Sequence, residues 1–151
     1  MRWLGIDPGG ARVGIAACDE EERVAVPLEV VPESAAFPAI RGIALREEAG
    51  GIVVGLALSL DGSEGAQAAR ARRLGDRLAR ELGLPVHYED ERLSSAAAER
   101  ARGRGSRSPR DDVAAALILQ QFLDRRRKAA RAIAPLDGTA LDGTALDGTT
   151  R

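Results

Sequence analysis

The stretch Trp3-Leu4-Gly5-Ile6-Asp7-Pro8-Gly9-Gly10-Ala11-Arg12-Val13-Gly14-Ile15-Ala16 constrains the fold more than any other part of the chain. A short apolar run ends in one acid, then in Pro8, Gly9 and Gly10. A second apolar run follows, from Val13 to Cys18. Strand, tight turn, strand is the pattern of an antiparallel hairpin. A lone charge at the end of a buried strand is costly, so it needs a cation, a hydrogen-bonding partner or a solvent-open strand end. Asp7 is therefore either a turn residue bonding the next amides or a ligand. This stretch by itself leaves both readings open.

The rest of the chain supplies the partners. Arg23 to Val31 reads as a third strand, and Pro27 inside it assigns that strand to a sheet edge. Ala35 to Glu48 reads as a helix with Ala36, Ile40, Ile43 and Ala44 on one face, stopped by Gly50-Gly51. Ile52 to Leu58 is apolar without alternation, as expected of a strand covered on both faces. Strand, helix, strand implies a right-handed parallel crossover. Ser59 to Ser63 is a polar loop in which Asp61-Gly62 has the form of a turn. A second helix spans Glu64 to Leu82, with Leu74, Leu78 and Leu82 inward, several arginines outward, and Gly83 and Pro85 closing it. Pro85 to Asp90 is another parallel strand. Ser94 or Ser95 caps a short helix from Ala96 to Arg102, and Gly103 to Ser108 is a basic loop. The last helix opens at Ser108-Pro109, continues through Phe122 and Leu123, and turns polar at Arg125. From Leu136 the chain repeats Leu-Asp-Gly-Thr-Ala, with too little apolar surface to pack. The expected organisation is one domain over residues 1–134 and a disordered tail over 135–151.

This element order is that of an α/β ribonuclease H-like fold: a five-stranded mixed sheet, order 3-2-1-4-5, flanked by helices. In such a sheet the ends of the first, fourth and fifth strands share one edge. Asp7 ends the first strand, Asp90 and Glu91 end the fifth, and Asp111 and Asp112 open the last helix. Asp111 shares a face with Ala115, Ile118 and Phe122, and the Ala114-Ala115-Ala116 run allows a close approach to the sheet. Carboxylates gathered from three elements repel one another unless a divalent cation joins them. A pair of such ions can activate water and stabilise the leaving oxygen of a phosphodiester. The chain has one cysteine, Cys18, and one histidine, His87. That argues against Cys–His catalysis and against a cysteine zinc cluster, and it leaves oxygen ligands suited to Mg2+ or Mn2+. The acids so gathered are Asp7, Asp90 or Glu91, and Asp111 or Asp112. For single residues, helix-terminus charge for Asp111 and Asp112 and surface pairing with Arg92 for Asp90 and Glu91 are the competing readings. His87 reads as a packed or surface residue rather than a catalytic one, Cys18 as a small core residue, and Trp3 and Tyr88 as core residues rather than base-stacking platforms.

The formal net charge is −1, yet the tail carries a net −2, so the body is about +1, with a strongly basic stretch from Arg100 to Arg131. That asymmetry suggests a nucleic-acid partner. Candidate phosphate-binding residues are Arg12, Arg70, Arg73, Arg77, Arg92, Arg104, Arg107 and Arg110; Arg12 is equally suited to hold a scissile phosphate or to pair with an acid. No apolar run is long enough to span a bilayer. The N-terminus does not read as a signal peptide, and a cytoplasmic protein is expected.

Four blocks resemble the YqgF (RuvX) family, Holliday junction resolvase-like nucleases of pre-16S ribosomal RNA. Gly5-Ile6-Asp7-Pro8-Gly9 with Arg12, Gly14 and Ala16 is similar to its first-strand motif. Val53-Val54-Gly55-Leu56 through Asp61-Gly62 is similar to its fourth-strand motif, with Ala57 where the family usually has proline. Asp90-Glu91-Arg92-Leu93-Ser94 resembles its Asp-Glu-Arg-Leu-Ser/Thr block. Asp111 with Ala114, Ala115, Leu119, Gln120, Leu123 and Asp124 resembles its terminal helix. The resemblance covers Met1 to about Asp124. It implies a ribonuclease H-like fold and metal-dependent phosphodiester cleavage in 5′-end maturation of 16S ribosomal RNA, with Asp7, Asp90, Glu91 and Asp111 as the catalytic acids; the metal set expected from it is Asp7, Asp90 and Asp111, Asp90 being preferred to Glu91 because it lies nearer the strand. The alternatives are a branched-DNA (Holliday junction) resolvase, a kinase-like ATPase, and a nucleic-acid-binding module that does not cleave. The partner expected is structured RNA or branched DNA, with the protein a monomer or homodimer.

Overall fold

Alternation along the first strand sorts the molecule into two layers. In β1 (Arg2–Pro8), Leu4 and Ile6 point to one face of the sheet, and Trp3, Gly5 and Asp7 to the other. The computed structural model describes residues 1–59, 61–91 and 111–141, with side chains of the last helix from 113 to 133. β2 (Arg12–Cys18) and β3 (Ala25–Pro32) continue the meander antiparallel. β4 (Ala49–Leu56) and β5 (Val86–Asp90) add in parallel on the other side of β1, giving the order β3-β2-β1-β4-β5. This is the ribonuclease H-like sheet expected from the element order, with proline-bearing β3 at its edge.

α1 (Ala36–Arg46) and α2 (Ala66–Leu82) cover the Leu4–Ile6 face. Ile40, Ile43, Ala68, Ala71 and Leu78 interlock there with Ile15, Ile52 and Val54. Each large side chain so buried stabilises the fold by about 1.5–3 kcal/mol. Gly83, left-handed at φ +70°, ends α2. Gly75, in mid-helix, leaves room for the Tyr88 ring: a Cβ there would lie 2.5 Å from the phenol oxygen.

α3 (Asp111–Leu141) covers the other face. Its small residues let the backbone descend onto β1; a Cβ on Gly5 would lie 2.7 Å from Leu119 Cβ and 2.8 Å from the Ala115 carbonyl oxygen. Trp3, Val53, Ile118, Leu119, Phe122 and Leu123 fill this second core. Trp3 packs edge-on to Phe122 at 4.8 Å and to His87 at 5.4 Å. Cys18 is thus a buried packing residue whose Sγ accepts a bond from the Trp3 amide, whereas His87 lies exposed against the Trp3 and Phe122 rings.

Several boundaries differ from the sequence reading. Gly50-Gly51 does not stop α1, which ends at Arg46 with Glu48 turning at φ +54°. Both glycines lie in β4, because Met1 and the Trp3 ring occupy the space where their side chains would stand. β4 accordingly starts at Ala49 and ends at Leu56, two residues before the end of the apolar run. α3 stays helical through Leu141, past residue 135. The helix expected over 96–102, the basic loop and the Ser108-Pro109 cap lie outside the described residues, as does the repeat from residue 142.

Candidate active site

The direction of α3 brings its first turn to the Asp7 end of the sheet. Trp3 meets Phe122, and Gly5 meets Leu119 and Ala115, so the helix runs antiparallel to β1. Asp111 lies one helical turn before Ala115, about 6 Å along the axis. Asp7 lies two strand residues beyond Gly5, about 7 Å along the same line. The two backbones therefore come level at the edge where β1, β4 and β5 end.

Asp7 is fully buried, at 0% exposure, although the tight turn follows it directly. Gly10, at φ +93°, and a bond from the Gly9 amide to the Arg12 carbonyl (2.8 Å) close that turn. In the β1–β2 ladder Asp7 stands opposite Gly14, which has no side chain to crowd it.

Strand parity separates the two acids at the end of β5. His87 and Glu89 face α3, whereas Val86 and Tyr88 face α2. Glu91 keeps the His87–Glu89 side and is 4% exposed. Its Oε2 lies 3.0 Å from where a Cβ on Gly55 would stand. Gly55 follows Val54, which pairs with Ile6, so the Glu91 carboxylate sits over the strand next to Asp7, at the same level and on the same face. Asp90, paired with Leu56, belongs by alternation to the Tyr88 side. The two acids thus emerge on opposite sides of the sheet.

Two buried carboxylates thus lie at this edge, level with the start of α3, whose sequence opens with Asp111. Oxygen donors of this kind suit hard divalent ions such as Mg2+ or Mn2+. Among the described residues no three His, Cys, Asp or Glu side chains are grouped around one point. Asp7 and Glu91 are the described members, and the Asp111 and Asp112 side chains lie outside that description. Asp61 caps its own turn, accepting the Ser63 amide at 2.9 Å.

The candidate phosphate-binding arginines fall into three groups. Arg12 is exposed at the start of β2, beside the turn that follows Asp7. Arg70, Arg73 and Arg77 lie on α2. Arg70 is 3.7 Å from Glu33, while Arg77 stacks on the Phe37 ring at 3.8 Å and is 3.5 Å from Glu81. A cleft of about 200 Å³ opens between Pro8, Gly10, Glu33, Phe37, Arg70 and Arg77, against the same turn but on the α1–α2 side. Gln67 ties α2 to this turn by donating to the Pro8 carbonyl at 3.1 Å. Arg92, Arg104, Arg107 and Arg110 lie outside the described residues.

The polar anchors of α3 did not emerge from sequence reasoning. Glu89, 2% exposed, accepts bonds from Gln121 and from both Nη atoms of Arg125, one at 2.7 Å. On the other flank, Gln120 accepts from the Ala25 amide at 2.9 Å and donates to the Arg23 carbonyl at 2.8 Å. The available signal was the pair of adjacent glutamines in an apolar helix, one turn before a basic run.

Residues 1–125 match the family model described as RuvX: Holliday junction resolvase. A protein of Anaeromyxobacter sp. (strain Fw109-5), named "Putative pre-16S rRNA nuclease", is 48% identical over 135 residues, covering 83% of this chain and 98% of that protein. One of the same name from Gloeobacter violaceus is 42% identical, covering 82% of this chain and 84% of that protein. The structure of Thermus thermophilus RuvC superposes with a TM-score of 0.57 at 20% identity, over 85% of this chain and 97% of that one, which is a likeness of fold. With its motifs in order, its sheet topology matched and nearly the whole length of its relatives spanned, the chain belongs to the RuvX family.

Proposed function

We propose that this chain is a divalent-metal-dependent nuclease that hydrolyses phosphodiester bonds in structured RNA, acting in 5′-end maturation of pre-16S ribosomal RNA in the cytoplasm. One observation carries the reading. The Glu91 carboxylate is seated over Gly55 at the edge where Asp7 is buried, level with the first turn of α3. A fold has little reason to bury two carboxylates at one sheet end for stability, since each loses hydration there. Asp7, Glu91 and Asp111 would hold Mg2+ or Mn2+, which supplies an activated water and charge neutralisation at the leaving oxygen.

This chain's own groups do the rest. Asp7 is held within β1 and Glu91 directly at the end of β5, which keeps the carboxylates in fixed positions. Arg12, exposed beside the turn, is placed to bind a phosphate bidentately. Arg70, Arg73 and Arg77 extend a basic surface past that turn, and the cleft beside them gives a flanking nucleotide somewhere to lie. Their exposed positions make binding strongly salt-dependent. The names of the RuvX relatives support the RNA substrate. A RuvC of this fold has been solved on a Holliday junction, which makes branched DNA the second substrate to try.

The test is incubation of the purified protein, as monomer or homodimer, with precursor 16S RNA, single strands and four-way junctions, each with Mg2+, Mn2+ or chelator. Metal-dependent cleavage of the precursor, lost in Asp7→Asn with RNA binding kept, is the expected result. Binding without cleavage under every condition would leave a non-cleaving module.

A further inference from the structure

The contact between α3 and the sheet is largely apolar, with the small Ala114, Ala115 and Ala116 beside the larger Ile118 and Leu119. Such contacts set how closely a helix packs but are weakly directional along its axis. Direction comes from polar anchors. Gln120 holds the β3 flank. On the β5 flank, Glu89 takes bonds from Gln121 and a two-armed ion pair from Arg125, whose guanidinium reaches in from solvent. Glu89, in β5, lies two residues before Glu91, which follows the strand and turns its carboxylate to the same face of the sheet. Gln121 and Arg125 lie on the helix whose first turn carries Asp111. The clamp thus ties together the two elements that deliver the second and third acids.

We infer that Glu89, gripped by Gln121 and Arg125, is a positioning residue that fixes the axial register of α3 on β5 and so the spacing of Asp111 from Glu91. A two-armed Arg–carboxylate contact is geometrically specific in a way that a lysine contact is not. Arg125 also neutralises a carboxylate that would otherwise add a buried negative charge beside the metal-binding pair. The consequence at the site rests on the nuclease reading above; the register itself does not.

The test uses the full chain. Glu89→Met with Arg125→Met exchanges the pair for apolar side chains of similar length, a replacement that folds tolerate well. Two readouts are taken: amide hydrogen exchange over residues 111–117, and Mn2+ affinity from the electron paramagnetic resonance of free ion. The expected result is a near-native Tm, exchange in the first turns of α3 faster by about tenfold, and Mn2+ binding weaker by about tenfold, the scale for supporting residues around a metal. Arg125→Lys falls between the double variant and the native chain. Exchange and affinity both within twofold of native would overturn the inference. Should the double variant fail to fold, Glu89→Gln, which keeps the shape and removes the charge, is measured against the same limits. If native Mn2+ binding is indifferent to Asp7→Asn, the nuclease reading falls, and hydrogen exchange still decides the clamp.

Discussion

Replacing Gly55 by alanine separates the site from the fold more cleanly than any other single change. The new Cβ would lie 2.7 Å from Ile118 Cδ1, 3.0 Å from Glu91 Oε2 and 3.3 Å from Glu91 Cγ. Ordinary contact starts at 3.4 Å, so Ile118 must give by about 0.7 Å and the Glu91 carboxylate by about 0.4 Å. Both atoms are at the far ends of side chains that can rotate. The stability cost should therefore fall at the low end for overpacking, about 1 kcal/mol, or roughly 2–4 °C in Tm for a chain of this size. The carboxylate, however, is moved by close to the tolerance of roughly 0.5 Å that a working site allows. Metal-dependent cleavage should fall by about tenfold or more, given that a 1 Å misplacement can cost about 100-fold. Gly5→Ala is the control. Its Cβ would meet Leu119 Cβ at 2.7 Å and the Ala115 carbonyl at 2.8 Å, so the whole of α3 must retreat. That should cost about 3 kcal/mol. Denaturation curves and cleavage rates on both variants decide the matter. Native cleavage in Gly55→Ala, or a loss that merely tracks its unfolded fraction, would refute the argument.

Burial against α2, and then the bond it donates to Asp76, push the phenol of Tyr88 well above its ordinary pKa of 10.0. Because the native state holds this proton more tightly than the unfolded chain, its contribution is complete below pH 10 and is lost as pH rises further. Tyr88 is the one tyrosine in the chain, so absorbance at 295 nm should show no native phenolate at the ordinary pKa and ionisation only with unfolding. Gln120→Ala strips the Ala25 amide and the Arg23 carbonyl of their partner; urea denaturation should show a loss of about 1–3 kcal/mol. Gly75→Ala would place a Cβ 2.5 Å from the Tyr88 oxygen, and should lower Tm while leaving Mn2+ affinity unchanged, since that face carries none of the metal-binding acids.

The sheet was legible because its strands are written as apolar runs with one unusual acid, and such runs have few ways to pair. What misled was local punctuation read without the opposite strand. Gly50-Gly51 looks like a helix stop, yet the pair exists to admit Met1 and the Trp3 ring, which lie far away in sequence. Asp90 and Glu91 are adjacent, and β5 carries polar residues on both sides. Its parity therefore becomes visible only when Tyr88 is seen bonding α2 and Glu89 bonding α3. Arg125 reads as a charge suited to a helix C-terminus, but the helix continues to Leu141 and the side chain turns back to Glu89. Such long-range polar pairings leave no periodic trace. The arginines of α2 are partly engaged with Glu33, Glu81 and Phe37, which the outward charge of the helix did not foretell.

The central claim is that acids from β1, from the residue after β5 and from the start of α3 form one cation site. Titrating Mn2+ into the native chain and into Asp7→Asn, Glu91→Gln, Asp111→Asn and Asp90→Asn, without nucleic acid, tests it most directly. The first three variants should each lose the Mn2+ binding shown by the native chain, and Asp90→Asn should keep it within a few-fold. Retained binding in Asp7→Asn and Glu91→Gln, or loss confined to Asp90→Asn, would contradict the site described above.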